Sequence, residues 1–146
     1  MATINPYLHF VGNTEEVFNF YKSVFGGEFA AVTRYGDLPG QEGCENLLEA
    51  DKKKIMHIAL PLSGGRVLMG TDAIGEHAAD AVLGNNFSLS VSADSKEEAE
   101  KVFKGLSESG EVTMPLNDTF WGAYFGMCQD KFGIRWMVNC DYNSKN

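Results

Sequence analysis

Cysteine is scarce in this chain, and the three present, Cys44, Cys128 and Cys140, form no C-x-x-C pair. An odd number at such spacing argues against a disulfide framework and a zinc knuckle. It fits a reducing compartment, so a cytoplasmic location is expected. Long apolar runs are missing as well: the longest cover a few residues, against roughly 20 for a bilayer span. The opening MATINPY has neither the basic flank nor the apolar centre of a signal peptide. Basic charge is in deficit, with 12 Lys and Arg against 20 Asp and Glu, a formal net charge of −8. Such a surface repels phosphate backbones and anionic lipid, so neither nucleic acid nor membrane is an expected partner.

What the chain does have is ordinary globular composition, 44% hydrophobic and 12% aromatic over 146 residues, enough for one domain. Within it lies a weak duplication. NTEEVFNFYKSVF (13–25) sets Val17, Phe20, Tyr21, Val24 and Phe25 on one helical stripe, with Asn13 as the expected cap, Glu16 as its partner and Gly26-Gly27 as the exit. SKEEAEKVFKGL (95–106) repeats the design 82 residues later with Ala99, Val102, Phe103 and Leu106, capped by Ser95 and Glu98. Strand-like runs precede the helices, NPYLHFV (5–11) and NFSLSVSA (86–93). Short extended segments follow them, FAAVTRY (29–35) and EVTMPL (111–116).

Two hairpins complete the pattern. KIMHIALPLSGGRVLMGTD (54–72) and GAYFGMCQDKFGIRWMVN (122–139) each read as paired strands around a glycine turn, and an offset of 68 aligns Met69 with Met137. The chain thus reads as a single α+β domain, 1–146, built of two βαβββ modules at about 1–72 and 86–146, joined by a connector at 73–85. Residues 36–54 are polar and Gly-rich, either a flap over a site or a solvated excursion.

FYKSVFGGEF, HIALPLSGGRVLMGTDA and TFWGAYFGMCQDKFGIRWMVN, set in this doubled pattern, resemble the glyoxalase/bleomycin resistance protein/dioxygenase (vicinal oxygen chelate) superfamily. The similarity is greatest to its PhnB-like, 3-demethylubiquinone 3-methyltransferase-like branch. The chain has no Gly-rich strand–turn–helix for a nucleotide-like methyl donor. The resemblance implies facing curved mixed sheets around a cavity, frequent homodimers and, in the metal-dependent members, a divalent ion held by one residue on the first and last strand of each module. Carried onto this chain, those positions are Pro6, Met69, Ser88 and Met137. None is a good donor to a hard or borderline divalent ion, so no metal and no other cofactor is expected.

Alternation then nominates the residues lining the cavity. They are Leu8 and Phe10, His57, Met69, Ser88 and Ser90, Trp121 and Tyr124, and Arg135 with Met137; His9 is expected to point toward the first helix. Flexible methionines, aromatics, hydroxyls and one guanidinium suit a small-molecule pocket, and equally a plain core between sheets. No catalytic residue emerges from spacing. The leading expectation is a metal-free small-molecule-binding protein. The alternatives are an enzyme of the superfamily (lyase, isomerase, dioxygenase or thiol transferase) acting on a small oxygenated substrate, and a structural or regulatory dimer module.

Overall fold

Two compact units, Met1–Val82 and Leu83–Asn146, emerge in the computed structural model, which describes residues 2–37 and 48–142. Residues 38–47, the middle of the segment considered as a flap, lie outside the described residues, and Cys44 with them.

The first unit runs β1 (Tyr7–Phe10), α1 (Thr14–Phe25), β2 (Ala31–Arg34), α2 (Glu49–Lys52), β3 (Ile55–Pro61), β4 (Val67–Asp72) and α3 (Glu76–Asp80). Its sheet order is β1-β4-β3-β2, with β1 parallel to β4 and the other pairs antiparallel. The β3–β4 hairpin closes through Ser63–Gly65, where Gly64 and Gly65 take φ of 76° and 75° that a side chain would disfavour.

Helix α1 buries Thr14, Val17, Phe18 and Tyr21 against this sheet. That face differs from the expected stripe, because Phe18 is fully buried while Phe20 and Val24 are only half-buried. Gly70 supplies the reason: a Cβ there would overlap the Phe18 ring, so the absent side chain leaves the space the ring fills. Burying each such large apolar side chain contributes about 1.5–3 kcal/mol. The expected cap is also corrected. Asn13 makes no side-chain cap bond; instead the buried Asp72 carboxylate at the end of β4 accepts from the Gly12 and Thr14 amides, each at 3.0 Å, and from the Ile55 amide at 2.8 Å.

The second unit contains β5 (Leu89–Ser92), α4 (Lys96–Ser107), β6 (Glu111–Asp118), β7 (Ala123–Gln129) and β8 (Arg135–Asp141), in sheet order β5-β8-β7-β6. Here the local signals hold. Ser95 accepts from the Glu98 amide at 3.1 Å, Glu98 accepts from the Asp94 amide at 2.9 Å, and α4 buries Ala99, Val102, Phe103 and Leu106. Gly126 on β7 lets the Phe103 ring approach as Gly70 does for Phe18. In the β7–β8 turn, buried Asp130 accepts from the Phe132 and Ile134 amides and from the Trp136 indole, the last at 2.9 Å.

Both units are α+β, each an open four-stranded mixed sheet with a helix across one face, and neither sheet closes into a barrel. No helix among the described residues is long and apolar enough to cross a membrane.

Candidate functional site

Which side chains are available for chemistry follows from which face of each sheet the helix covers. In the first unit Gly70 faces Phe18 of α1, and its ladder partners are Leu8 on β1 and Ile58 on β3. Paired residues point to the same side, so Leu8, Phe10, Ile58 and Leu60 lie under the helix. Leu8 and Phe10 are 5% and 4% exposed, so their assignment to a cavity wall is corrected: both are core under α1.

The face opposite the helix carries Tyr7, His9, His57, Ala59 and Met69 instead. His9, expected to turn toward the first helix, is exposed there, its ring 5.4 Å from that of Tyr7. Tyr7 sits beside Met69 in the ladder, and its hydroxyl lies 3.0 Å from His57 Nδ1. Burial, and secondarily Tyr35, pushes the Tyr7 phenol above the ordinary tyrosine range.

The inverted parity has a physical cause. Tyr7 beside Met69 and Ser90 beside Met137 are 83 positions apart, whereas the helix caps Asn13 and Ser95 are 82 apart. The first unit has one extra residue between strand and helix, at a turn where Gly12 takes a φ of 90°. A one-residue slip exchanges the two faces of a strand, so a helix-derived offset carried onto β1 reverses it.

In the second unit the reading of the faces is mostly right. Gly126 faces α4 and pairs with Val138, which pairs with Val91, so these with Cys128, Trp136 and Leu89 form the helix side. Ser90, Arg135 and Met137 lie on the opposite face; Phe125, Met127, Gln129 and Asn139 share it. Ser88 is half-buried just before β5. Trp121, 57% exposed in the β6–β7 turn, packs edge-on against Phe125 at 5.9 Å. Tyr124 is the exception and is corrected. It lies on the α4 side, where its hydroxyl donates to Glu100 at 3.0 Å and Lys96 sits 5.1 Å from its ring centroid.

Sequence reading missed Tyr7 and His9 through the parity slip. It missed Phe125, Met127 and Gln129, although the alternation of β7 about Gly126 would have found them. The donor chemistry does not fit the family's divalent ion. With the register corrected, the residues beside Met69 and Met137 are a phenol and a hydroxyl, and no group of three or more His, Cys, Asp or Glu side chains is gathered for a metal among the described residues. Tyr7 and His57 are instead engaged with each other.

A pair of βαβββ units, each a four-stranded mixed sheet with a helix across one face, is the pattern of the glyoxalase-like class. The family profile of the Glyoxalase/Bleomycin resistance protein/Dioxygenase superfamily matches residues 3–138, and the chain belongs to that superfamily. It is 40% identical to protein PA1353 from Pseudomonas aeruginosa, with a TM-score of 0.79 over 97% of this chain and 98% of that one. A PhnB protein from Bacillus cereus, provisionally named a 3-demethylubiquinone-9 3-methyltransferase, is 28% identical with a TM-score of 0.72 over 95% and 99%. Protein YjdN of Escherichia coli (strain K12) is 28% identical over 141 residues, 93% of each chain. These likenesses put the chain among the PhnB-like members.

Proposed function

We propose that this protein binds a small organic molecule on the sheet faces opposite its helices, and does so without a divalent metal. The observation that carries the reading is the Tyr7–His57 pair, 3.0 Å apart on such a face, with Tyr7 41% exposed. A sheet core does not need a phenol and an imidazole on its surface, whereas a ligand site uses a few fixed polar groups among apolar ones. Met69 beside Tyr7, and Ala59 next to Met69 in the same row, supply the apolar surround.

A thermal-shift screen of aromatic and amphipathic molecules is the first test, with elemental analysis of protein purified without chelators beside it. The expected result is a stabilising ligand whose affinity falls roughly tenfold in Tyr7→Phe, the loss of about one hydrogen bond, with no stoichiometric metal. Stoichiometric metal, or a hit unaffected by Tyr7→Phe and by His57→Leu, would sink the reading.

The same pair favours a second reading, acid–base catalysis on a small oxygenated substrate, because phenol and imidazole can exchange a proton. Turnover of an α-ketoaldehyde–thiol adduct that is lost in Tyr7→Phe, with binding retained, would select it. As partner we propose a second copy of the chain, meeting at edge strand β6, where Val112 and Met114 are 46% and 45% exposed. Light scattering that gives a monomer at all concentrations would exclude it.

A further inference from the structure

The chain has three arginines, and they are not alike. Arg34 is bound bidentately to Glu15, at 3.1 and 2.7 Å, and donates to the Lys53 carbonyl at 2.8 Å. Arg66 lies exposed at the end of the β3–β4 turn. Arg135 is half-buried at the start of β8, on the face opposite α4, its guanidinium making no hydrogen bond or ion pair to any described residue. A partly desolvated guanidinium is normally matched by a carboxylate, because its five donors lose water and need acceptors.

The ladder keeps the acid of its own row out of reach. Arg135 pairs with Gln129, and Gln129 with Glu111, so the acid in that row stands two strands away, roughly 10 Å at about 4.8 Å per strand. Gln129 is interposed, a neutral amide that offers hydrogen bonds without cancelling the charge. One row along the same face stand Met127 and Met137, cross-strand partners about 6.6 Å from the Arg135 row. Beyond them is Phe125, with Trp121 against its edge. A cation at one end of a polarizable apolar platform is complementary to a molecule with an anionic head and a flat apolar body.

We propose that the face of the second unit opposite α4 binds an organic carboxylate, its anionic head paired to Arg135 and its body lying on Met127 and Met137. This rests on the reading that the protein binds a small molecule, and it names the chemical class. The head is a carboxylate and not a bare inorganic anion, because the methionine platform has nothing to offer a fully hydrated ion.

The probes are 2-naphthoate, the neutral 2-naphthamide of the same shape, and inorganic phosphate. Titrations are followed through the methyl resonances of Met127 and Met137 and by calorimetry, in wild type, Arg135→Gln and Arg135→Lys, with unchanged melting temperature confirming that each variant is folded. We expect naphthoate to move both methyls and to bind roughly ten- to a hundred-fold more tightly than the amide. Arg135→Gln abolishes that preference, Arg135→Lys retains part of it, and phosphate moves neither methyl. Equal binding of acid and amide, unchanged in Arg135→Gln, overturns the anionic class while leaving small-molecule binding standing. Phosphate matching naphthoate overturns the apolar half of the site. No methyl shift with any probe at millimolar concentration overturns the proposal outright, and the thermal-shift screen then decides separately whether the protein binds small molecules at all.

Discussion

Each unit buries one aspartate that gathers three hydrogen-bond donors, yet the two do different work. Asp72 reaches amides 58 and 60 residues away at the start of α1 and one 17 residues away at the start of β3. It ties helix, hairpin and sheet together. Asp130 accepts from residues two, four and six positions along, Phe132, Ile134 and Trp136, and holds one hairpin turn. The helices differ in the same sense: α4 is capped by its own Ser95, α1 by Asp72 from the far end of the module. One topology is thus secured in one unit by contacts that exist only after folding, and in the other by contacts that can form early from neighbouring residues.

The comparison breaks most sharply at Asp72. Asp72→Ala orphans three amides, two of them deeply buried, and should cost about 3–5 kcal/mol, with loss of helicity in α1 seen by amide exchange. If the exchange of α1 stays as slow as in wild type, the carboxylate is not the cap. Asp130→Ala should cost less, about 2–3 kcal/mol, because its turn remains hydrogen-bonded from Gly133 to Asp130 through the backbone. Its signature should be a change in Trp136 fluorescence as the indole loses its acceptor. Equal loss of both helices in the two variants would erase the distinction.

Ser95→Ala tests the local cap and should cost about 1 kcal/mol, read from denaturant midpoints at unchanged slope. A loss as large as that of Asp72→Ala would show that the local cap is no weaker than the distant one. The last effect is absent at neutral pH, appears only as pH rises, and belongs to the second unit. Burial, and then the charge of Asp130, pushes the Cys128 thiol up to about 11 from 9.0. The folded protein holds that proton longer than the unfolded chain, so stability falls as pH rises through roughly 9 to 11 and is unaffected below. Denaturant melts across that range should show the slope in wild type and a shallower one in Cys128→Ala. A slope unchanged by the substitution would remove Cys128 as its source.

Much of this molecule could be read in advance because its signals are local. The α4 capping box, the glycine turns at Gly65 and Gly133 and the alternation of β8 each lie within a few residues of what they specify. So the face of Ser90, Arg135 and Met137 was legible, and so was the family, whose motifs cover nearly the whole chain. The sequence misleads where strand register or a distant residue intervenes. Leu8 and Phe10 were placed on the wrong face by a single inserted residue that only the ladder reveals, and His9 with them. Tyr124 looked like a pocket wall because nothing near it in sequence announces Glu100 or Lys96 on α4.

The sequence by itself determined the doubled βαβββ order, the superfamily and the poor metal-donor character of the expected positions, because periodicity, turn chemistry and residue type are properties of short stretches. Only the tertiary structure decided that Tyr7 meets His57, that Asp72 caps α1 and that the Arg135 guanidinium has no ion pair among the described residues. Those facts depend on strand register and on where a helix lies over a glycine, and such contacts link residues far apart in the chain.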